Sequence, residues 1–190
     1  METGKLIIIS APSGTGKSTI INAIINDERL KLEFSVSCTT RSPREGEVNG
    51  ENYYFLTVKE FKDKISQNAF AEYEEVYNGT FYGTLKSEIA RINDDGKNAI
   101  MDLDVKGGIN VKRLYGDHAL SIFIQPPSVE TLRERLISRA TDSIEDIKAR
   151  VDKAEFEIDH ARHFDKIVVN NILEDAVEEV RNAILDFIKA

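Results

Sequence analysis

The chain has 190 residues, of which 41% are hydrophobic and 31% are charged, a balance typical of one globular domain, with or without small insertions, and a substantial core. A formal net charge of −8 argues against sequence-independent binding of nucleic acid, which needs a basic face to displace counterions. The single Cys38 excludes an internal disulfide, and neither a signal peptide nor a membrane span is indicated, so we expect a cytoplasmic protein without nucleic-acid or membrane partners.

The first predicted elements are a strand and a helix joined by a loop of small residues. Residues 6–9 are four consecutive aliphatic side chains, which predict a strand buried on both faces. Apolar positions over residues 20–25 suit a helix. The loop therefore leads into a helix N-terminus, where backbone N–H groups lack partners and the helix dipole is positive.

That loop has the spacing of a phosphate-binding loop. Gly14 and Gly16 allow its amides to curl around a phosphate, and Lys17 adds a positive charge. The Ser18 hydroxyl suits the coordination shell of Mg²⁺, and Ala11 replaces the first glycine of the pattern. The residues predicted to contact nucleotide phosphates are Ala11, Pro12, Ser13, Gly14, Thr15, Gly16, Lys17, Ser18 and Thr19. The loop alone fits an ATPase, a GTPase switch or a kinase.

The next segment, residues 35–83, is predicted to form a small and largely antiparallel insert. Residues 34–37 have the pattern of a short strand. Asn-Gly pairs at 49–50 and 78–79 each separate two strand-like segments, and Asn-Gly favours a hairpin turn because both residues tolerate positive φ. Between these hairpins, a capping box predicts a helix over residues 57–66.

The rest of the chain alternates strands with helices. The predicted order is a helix over 84–93 that Gly96 ends, a strand over 99–104, a helix over 106–114, a strand over 119–124, helices opened by Ser128 and Ser143, a strand over 166–169 and a closing helix from Leu173. Such alternation implies parallel crossovers and an α/β fold with three layers around a parallel sheet. We expect residues 1–34 and 84–190 to form this core, with residues 126–160 as its approximate helical lid.

Ligands of such sheets bind at the carboxyl ends of the strands. We therefore expect the loop after Ser10, the acids at 102 and 104, and Asn170 to share one edge. Asp102 follows an apolar strand beside the phosphate loop, where it suits an indirect contact with Mg²⁺ or, alternatively, the N-cap of the next helix.

Four polar side chains of the insert predict a second anion site. Arg41 and Arg44 offer two guanidinium groups, and Tyr53 and Tyr82 offer two phenolic donors. Planar guanidinium groups match the geometry of phosphate oxygens. Together these groups suit a phosphate monoester.

Ser37 and Glu72 in the same insert are suited to reading the edge of a base. A carboxylate accepts hydrogen bonds from two adjacent N–H groups, and guanine presents such a pair at N1 and N2. Adenine has no protonated N1. The polarity of Glu72 therefore favours guanine.

Several segments of the chain resemble guanylate kinases, the nucleoside monophosphate kinases of the P-loop NTPase fold that phosphorylate GMP. The resemblance extends over nearly the whole chain and is carried by residues 37–53 above all, and by residues 11–18, 81–84, 102–104 and 169–170. It implies a transfer of the γ-phosphoryl group of ATP to GMP, and to dGMP, with Mg²⁺ accompanying ATP and with ADP and GDP as products. ATP and GMP are thus the expected partners, and residues 35–83 the expected GMP-binding insert.

The resemblance also implies roles for single residues. The residues implied to bind the GMP phosphate are Arg41, Arg44, Tyr53 and Tyr82, and those implied to bind guanine are Ser37, Glu72, Thr84 and Asp104. Asn170 is expected near adenine. The cations implied to stabilise the transferred group, and hence to be catalytic, are Lys17, Arg41, Arg44, Arg139 and Arg150. The chain departs from the family pattern at Ala140 and Asp142 in the lid and at Lys106 after the second acid.

The chemistry expected of this set needs no general base, because the second pKa of a phosphate monoester is about 6 and the attacking oxygen is already ionised. The protein has to align two polyanions and supply cations. Because water competes with GMP, we expect the insert and the lid to close when both nucleotides are bound. The alternatives are a kinase for another nucleoside monophosphate and a non-catalytic guanylate-kinase-like binding module.

Overall fold

The structure, a computed structural model, describes residues 4–77, 79–138 and 144–190. Its strands are β1 (Leu6–Ser10), β2 (Leu32–Phe34), β3 (Cys38–Thr39), β4 (Tyr54–Phe55), β5 (Phe70–Tyr77), β6 (Thr80–Leu85), β7 (Asn98–Asp102), β8 (Ala119–Gln125) and β9 (Lys166–Val169). Its α-helices are α1 (Lys17–Ile24), α2 (Val58–Ser66), α3 (Lys86–Asp94), α4 (Val105–Tyr115), α5 (Val129–Ser138), α6 (Ile144–Asp159) and α7 (Leu173–Lys189). Within the described ranges, no helix is long and apolar enough to span a bilayer.

A five-stranded sheet in the order β2-β7-β1-β8-β9 forms the centre of the molecule, and all of its strand pairs are parallel. β1 lies in the middle, and its residues 6–9 are completely buried. Four adjacent aliphatic side chains meet this demand because successive residues of a strand point to opposite faces, and both faces are covered here. The prediction for this strand is confirmed.

Helices cover the two faces of this sheet with separate apolar clusters. On one face, Ile7 and Ile9 pack with buried residues of α1 and α7, among them Ile20 and Val180. On the other face, Leu6 and Ile8 pack with buried residues of α3 and α4. The sheet and its two helical layers make the three-layer α/β architecture that the alternation of elements predicts.

A second sheet, in the order β4-β3-β6-β5, stands apart from the first. β6 pairs antiparallel with both β3 and β5, whereas β3 and β4 are parallel. The pairing of Tyr77 with Thr80 agrees with the hairpin predicted at 78–79, although Asn78 lies outside the described residues. α2 packs Phe61 against this sheet and begins with the predicted capping box of Thr57 and Glu60.

The hairpin predicted at Asn49-Gly50 is wrong. The segments on either side of it do not pair as antiparallel strands, since β4 runs parallel to β3. The amide of Phe55 donates instead to the side-chain oxygen of Asn49 at 2.8 Å, and Gly50 has a φ of 85° within a loop. Asn49 thus supports the entry into β4 with its side chain instead of forming a two-residue turn.

Other predicted boundaries move because neighbouring sheets and caps compete for the same residues. The strand predicted over 34–37 ends at Phe34, and the chain then crosses to the second sheet. β6 continues to Leu85, so the helix predicted from residue 84 begins at Lys86. The strand predicted to reach residue 104 ends at Asp102, and the helix opened by Ser143 is described only from Ile144 onward. The helical stop predicted at Gly96 is confirmed, with a φ of 73°.

Candidate active site

The loop between β1 and α1 opens a cavity at the carboxyl edge of the main sheet. Gly14 and Gly16 have φ values of 91° and 95°, a region that side chains with a Cβ rarely adopt. α1 begins at Lys17 with Gly16 as its N-cap, without an acidic residue in its first turn. The amides of this first turn therefore point toward the loop in a positive environment, which suits an anion.

The cavity measures about 410 Å³ and is bounded by the loop, the end of β7, the start of α4 and one face of α6. Its lining residues are Ala11, Pro12, Ser13, Gly14, Gly16, Lys17, Ser18, Thr19, Asp102, Asp104, Arg150, Lys153 and Glu157. Thr15 is buried beneath it, and its hydroxyl donates to the carbonyl of Pro12 at 2.6 Å. Most of the loop residues predicted to contact phosphate thus line one space.

Two predicted cations of the cavity have partners within it. The Lys17 ammonium pairs with the carboxylate of Asp102, 85 residues away in the chain. Nη1 of Arg150 donates to the Ser13 hydroxyl at 2.8 Å, which joins α6 to the phosphate loop. Arg139, the second predicted lid arginine, lies outside the described residues together with Ala140 and Asp142.

Asp102 and Asp104 differ in what they contact. Asp104 is the N-cap of α4, and its Oδ1 accepts from the amide of Gly107 at 2.7 Å. The alternative that Asp102 caps this helix is therefore wrong, because Asp104 occupies that position. Asp102 is left at the end of β7, facing Lys17 beside the phosphate loop.

A second cluster of polar side chains lies on the second sheet and on the loop between β3 and β4. The Arg41 guanidinium makes two hydrogen bonds to the carboxylate of Glu47, both of 2.6 Å, and lies 5.0 Å from the ring centre of Tyr53. The rings of Tyr53 and Tyr82 are 5.9 Å apart, edge to face. The structure thus brings three of the four predicted phosphate ligands together. Arg44 is exposed, and its amide donates to the same Glu47 carboxylate at 2.7 Å.

Glu47 is a residue that the sequence analysis missed. Its hydrogen bonds with Arg41 and with the Arg44 amide lower the pKa of Glu47 to about 2, and the same pair raises the pKa of Arg41. The Nε–H of Arg41 is buried without a hydrogen-bond partner in the part of the chain that the structure describes. Glu47 therefore fixes the end of the guanidinium that carries Nη1 and Nη2.

The four residues predicted to bind guanine also come together. Glu72 on β5 is paired with Thr84 on β6, and the Thr84 hydroxyl lies 3.2 Å from that of Ser37. Burial raises the pKa of Glu72 to about 7; hydrogen bonds with Thr84 oppose this rise and the charge of Asp104 adds to it. A Cβ built on Gly107 would stand 3.7 Å from Oε2 of Glu72, so this carboxylate lies beside the start of α4.

Asn170 joins the end of β9 to the other side of the phosphate loop. The side-chain Nδ2 of Asn170 donates to the backbone carbonyl of Thr15 at 2.7 Å. The backbone carbonyl of Asn170 accepts from Nη2 of Arg135 at 3.1 Å. A separate cleft of about 310 Å³ lies here, lined by residues of the loop, α5 and the start of α7. The sequence analysis assigns no site role to Arg135, which lies four positions before Arg139 in the chain.

The sequence analysis also missed two residues of α6. Lys153 and Glu157 follow Arg150 at helical spacing, line the same cavity and form an ion pair of 3.6 Å. Glu157 is only 6% exposed, and burial raises its pKa. The signal that could have found them is the spacing of 150, 153 and 157, which places all three on one helix face.

Comparisons with known proteins agree with this geometry. The family model described as guanylate kinase matches residues 3–186. The chain is 57% identical to a guanylate kinase of Porphyromonas gingivalis over 97% of this chain and 98% of that protein. It is 52% identical to a guanylate kinase of Bacteroides thetaiotaomicron, over 98% and 91% of the two chains. The crystal structure of guanylate kinase from Anaplasma phagocytophilum is similar at a TM-score of 0.73 and 29% identity, over 100% of this chain and 89% of that one.

Proposed function

This chain belongs to the guanylate kinase family, and from that premise we propose how its residues transfer the γ-phosphoryl group of ATP to GMP, yielding ADP and GDP. The observation that carries the assignment of roles is the position of Glu72. This carboxylate lies with Ser37 and Thr84 on the second sheet and next to Asp104, which also lines the phosphate-loop cavity. Asp104 thus belongs both to the predicted guanine site and to the lining of the phosphate-loop cavity.

ATP occupies the cavity of the phosphate loop in this proposal. The amides at the start of α1 bind its phosphates, and Lys17 exchanges Asp102 for a phosphate oxygen. Arg150 reaches the same phosphates from α6, since its guanidinium already contacts Ser13 of the loop. Asn170 and Arg135 border the neighbouring cleft, where adenine lies.

The phosphate cavity fits Mg²⁺ that arrives with ATP. Mg²⁺ keeps several waters and uses one or two protein oxygens when phosphates supply other ligands. The Ser18 hydroxyl and the Asp102 carboxylate both line the cavity, and in the described ranges no cluster of three or more metal-binding side chains forms a dedicated cage. Ser18 would hold the ion directly and Asp102 through water. When bound, Mg²⁺ neutralises charge on the β- and γ-phosphates.

GMP lies against the second sheet, and we assign residues 35–83 as its insert and residues 1–34 with 84–190 as the core. Glu72 accepts the two guanine N–H groups, while the hydroxyls of Ser37 and Thr84 lie beside it. The phosphate lies at the group formed by Arg41, Tyr53 and Tyr82, and Arg44 reaches it from an exposed position on the same loop.

The chemical step itself needs positioning and charge. At neutral pH the acceptor phosphate is mostly a dianion, since its second pKa is about 6, so no side chain has to remove a proton. Two polyanions must approach in line, and the cations on both sides reduce their repulsion. Arg41 and Arg150 are held in place by Glu47 and Ser13 before substrate binds, which limits the reorganisation required, whereas Lys17 has to leave Asp102.

Substrate choice tests the assignment. An ADP-release assay with ATP and each of GMP, dGMP, AMP, CMP and UMP should give higher kcat/KM with GMP and dGMP than with the other three, because only guanine offers two adjacent N–H donors to Glu72. A preference for AMP would overturn the guanine assignment.

The control for this assay is Lys17→Ala. We expect it to lower turnover at least about a hundredfold, since it removes a cation from the transferred phosphate, while calorimetry finds GMP binding retained. Near-normal turnover of the variant would contradict the role of the loop. Failure of the unmodified chain to bind either nucleotide would favour a non-catalytic module.

A further inference from the structure

One face of α6 places two charged side chains at the phosphate cavity in addition to Arg150. Lys153 and Glu157 lie three and seven positions beyond Arg150 and line the same space. Their ion pair of 3.6 Å joins a Glu157 side chain that is 8% exposed to a Lys153 side chain that is 66% exposed. The acid is thus fixed in the helix packing, whereas the ammonium group stands at the open side of the cavity.

Among the described residues that line the cavity, charged side chains of both signs occur in equal number. Lys17, Arg150 and Lys153 face Asp102, Asp104 and Glu157 there. Lys17 pairs with Asp102 and Lys153 with Glu157, while Asp104 accepts from the Gly107 amide. The loop amides favour an anion, but Lys17 and Lys153 are paired with acids, so these two cations must change partners to contact an entering phosphate.

Lys153 is the cation best placed to do so after Lys17. Its ion pair with Glu157 is longer than a direct hydrogen bond, and the ammonium end of the pair is exposed to solvent. Lys153 also lines an adjoining pocket with Glu74 and Asp104, on the side where the guanine-reading residues lie. It therefore stands between the ATP cavity and the acceptor side.

We propose that Lys153 binds the terminal phosphate of ATP, and that Glu157 holds its ammonium group at the cavity edge until the nucleotide enters. This inference rests on the proposed function, because it presumes ATP in the phosphate-loop cavity. Lys153 adds a cation from α6 to Lys17 and Arg150. Glu157 acts through Lys153 and is a positioning residue.

The test compares Lys153→Met with Lys148→Met. Lys148 is exposed on the same helix and does not line the cavity, so both variants lose one positive charge from α6. We expect Lys153→Met to weaken binding of Mg²⁺-ATP about tenfold by calorimetry, the value of one charged hydrogen bond, and ADP binding less than about twofold, because ADP lacks the contacted phosphate. Lys148→Met should change neither, and Lys153→Arg should restore most of the ATP affinity.

The variant Glu157→Gln provides an independent test of the Lys153 contact with ATP. Freeing Lys153 from its carboxylate should tighten ATP binding about threefold, and this gain should vanish when Lys153→Met is also present, since the two residues act as a unit. Circular dichroism and thermal unfolding establish that each variant is folded. A gain of equal size in both backgrounds would mean a general charge effect and would overturn the role of Lys153.

The outcomes separate this inference from the assignment beneath it. If the unmodified chain phosphorylates GMP while Lys153→Met and Lys148→Met bind ATP alike, the inference is wrong and the proposed function stands. Equal weakening of ATP and ADP by Lys153→Met would overturn the terminal-phosphate contact. If the unmodified chain neither binds ATP nor turns over GMP, the proposed function fails first.

Discussion

Glu72 combines a recognition role with an unusual ionisation. Burial raises its pKa to about 7, with the charge of Asp104 as a further cause, so that near neutral pH a large fraction of free molecules carries a protonated Glu72. Guanine N–H groups need the carboxylate form as acceptor. GMP binding must therefore displace a proton from this residue whenever the pH lies at or below its pKa.

We accordingly expect GMP affinity to depend on pH through Glu72. Above pH 7 the carboxylate is ionised and affinity is flat; below it, affinity should fall by up to about tenfold per pH unit, because each binding event releases a proton. The measurement is calorimetry from pH 5.5 to 8.5 in two buffers of different ionisation enthalpy, which reports the proton released.

The control for that profile is Glu72→Gln. This variant should bind GMP more weakly by roughly 1–3 kcal/mol, with ATP binding unchanged, since a buried charged contact is lost. Protonation of GMP itself, with a pKa of about 6, remains in both proteins, so the difference between the two profiles isolates Glu72. Parallel profiles would show that this carboxylate is not the group that titrates.

Among the elements, the loop between β3 and β4 depends on Glu47. Its carboxylate binds the Arg41 guanidinium on one side and the Arg44 amide on the other, and so fixes the course of residues 41–47. Two effects of removing it oppose each other. Loss of a negative charge favours a phosphate, whereas loss of orientation leaves Arg41 to pay its rotamer entropy on binding.

We expect orientation to prevail, so that Glu47→Ala weakens GMP binding about tenfold in calorimetry and leaves ATP binding unchanged. The matched control is Glu45→Ala, which removes the same charge from an exposed position two residues earlier. Tighter GMP binding by Glu47→Ala would mean that Glu47 competes with the phosphate for Arg41.

The elements also show which predictions local sequence supports. The strand, loop and helix over residues 6–24 could be predicted because an aliphatic run, two glycines and a helix face are local signals. The Asn49-Gly50 hairpin could not be excluded in this way, since the partner of β4 is β3, more than ten residues away. Likewise the partner of Arg41 depends on how the chain turns at Gly46, where φ is 82°.

At the scale of the molecule, the sequence predicted which groups share an edge and missed many of their partners. Lys17 and Asp102 were expected at one end of the sheet because both follow parallel strands, yet their ion pair depends on side-chain reach. The meeting of Glu72 with Asp104 joins two sheets, and no local pattern encodes it. The resemblance to a family predicts the grouping of Glu72 with Asp104, whereas residue spacing does not. Neither the resemblance nor the spacing led to a prediction for Lys153 and Glu157.

The arrangement of the two sheets predicts a closure that needs both nucleotides. The phosphate cavity belongs to the edge of the main sheet, whereas the Arg41 group belongs to the second sheet, and transfer requires their ligands to meet in line. ATP alone contacts the cavity of the main sheet, and GMP alone contacts the Arg41 group of the second sheet. Only when both nucleotides are bound do the cations of both sites attract them toward each other.

Small-angle X-ray scattering measures this closure with GMP, with a non-hydrolysable ATP analogue, and with both. For a compact chain of this length the radius of gyration is about 16 Å, and we expect both ligands together to reduce it by roughly 1 Å, with each alone giving less than half of that. A full decrease of the radius of gyration with one ligand would contradict a closure that needs both nucleotides. The active site would then exclude water before the second nucleotide binds.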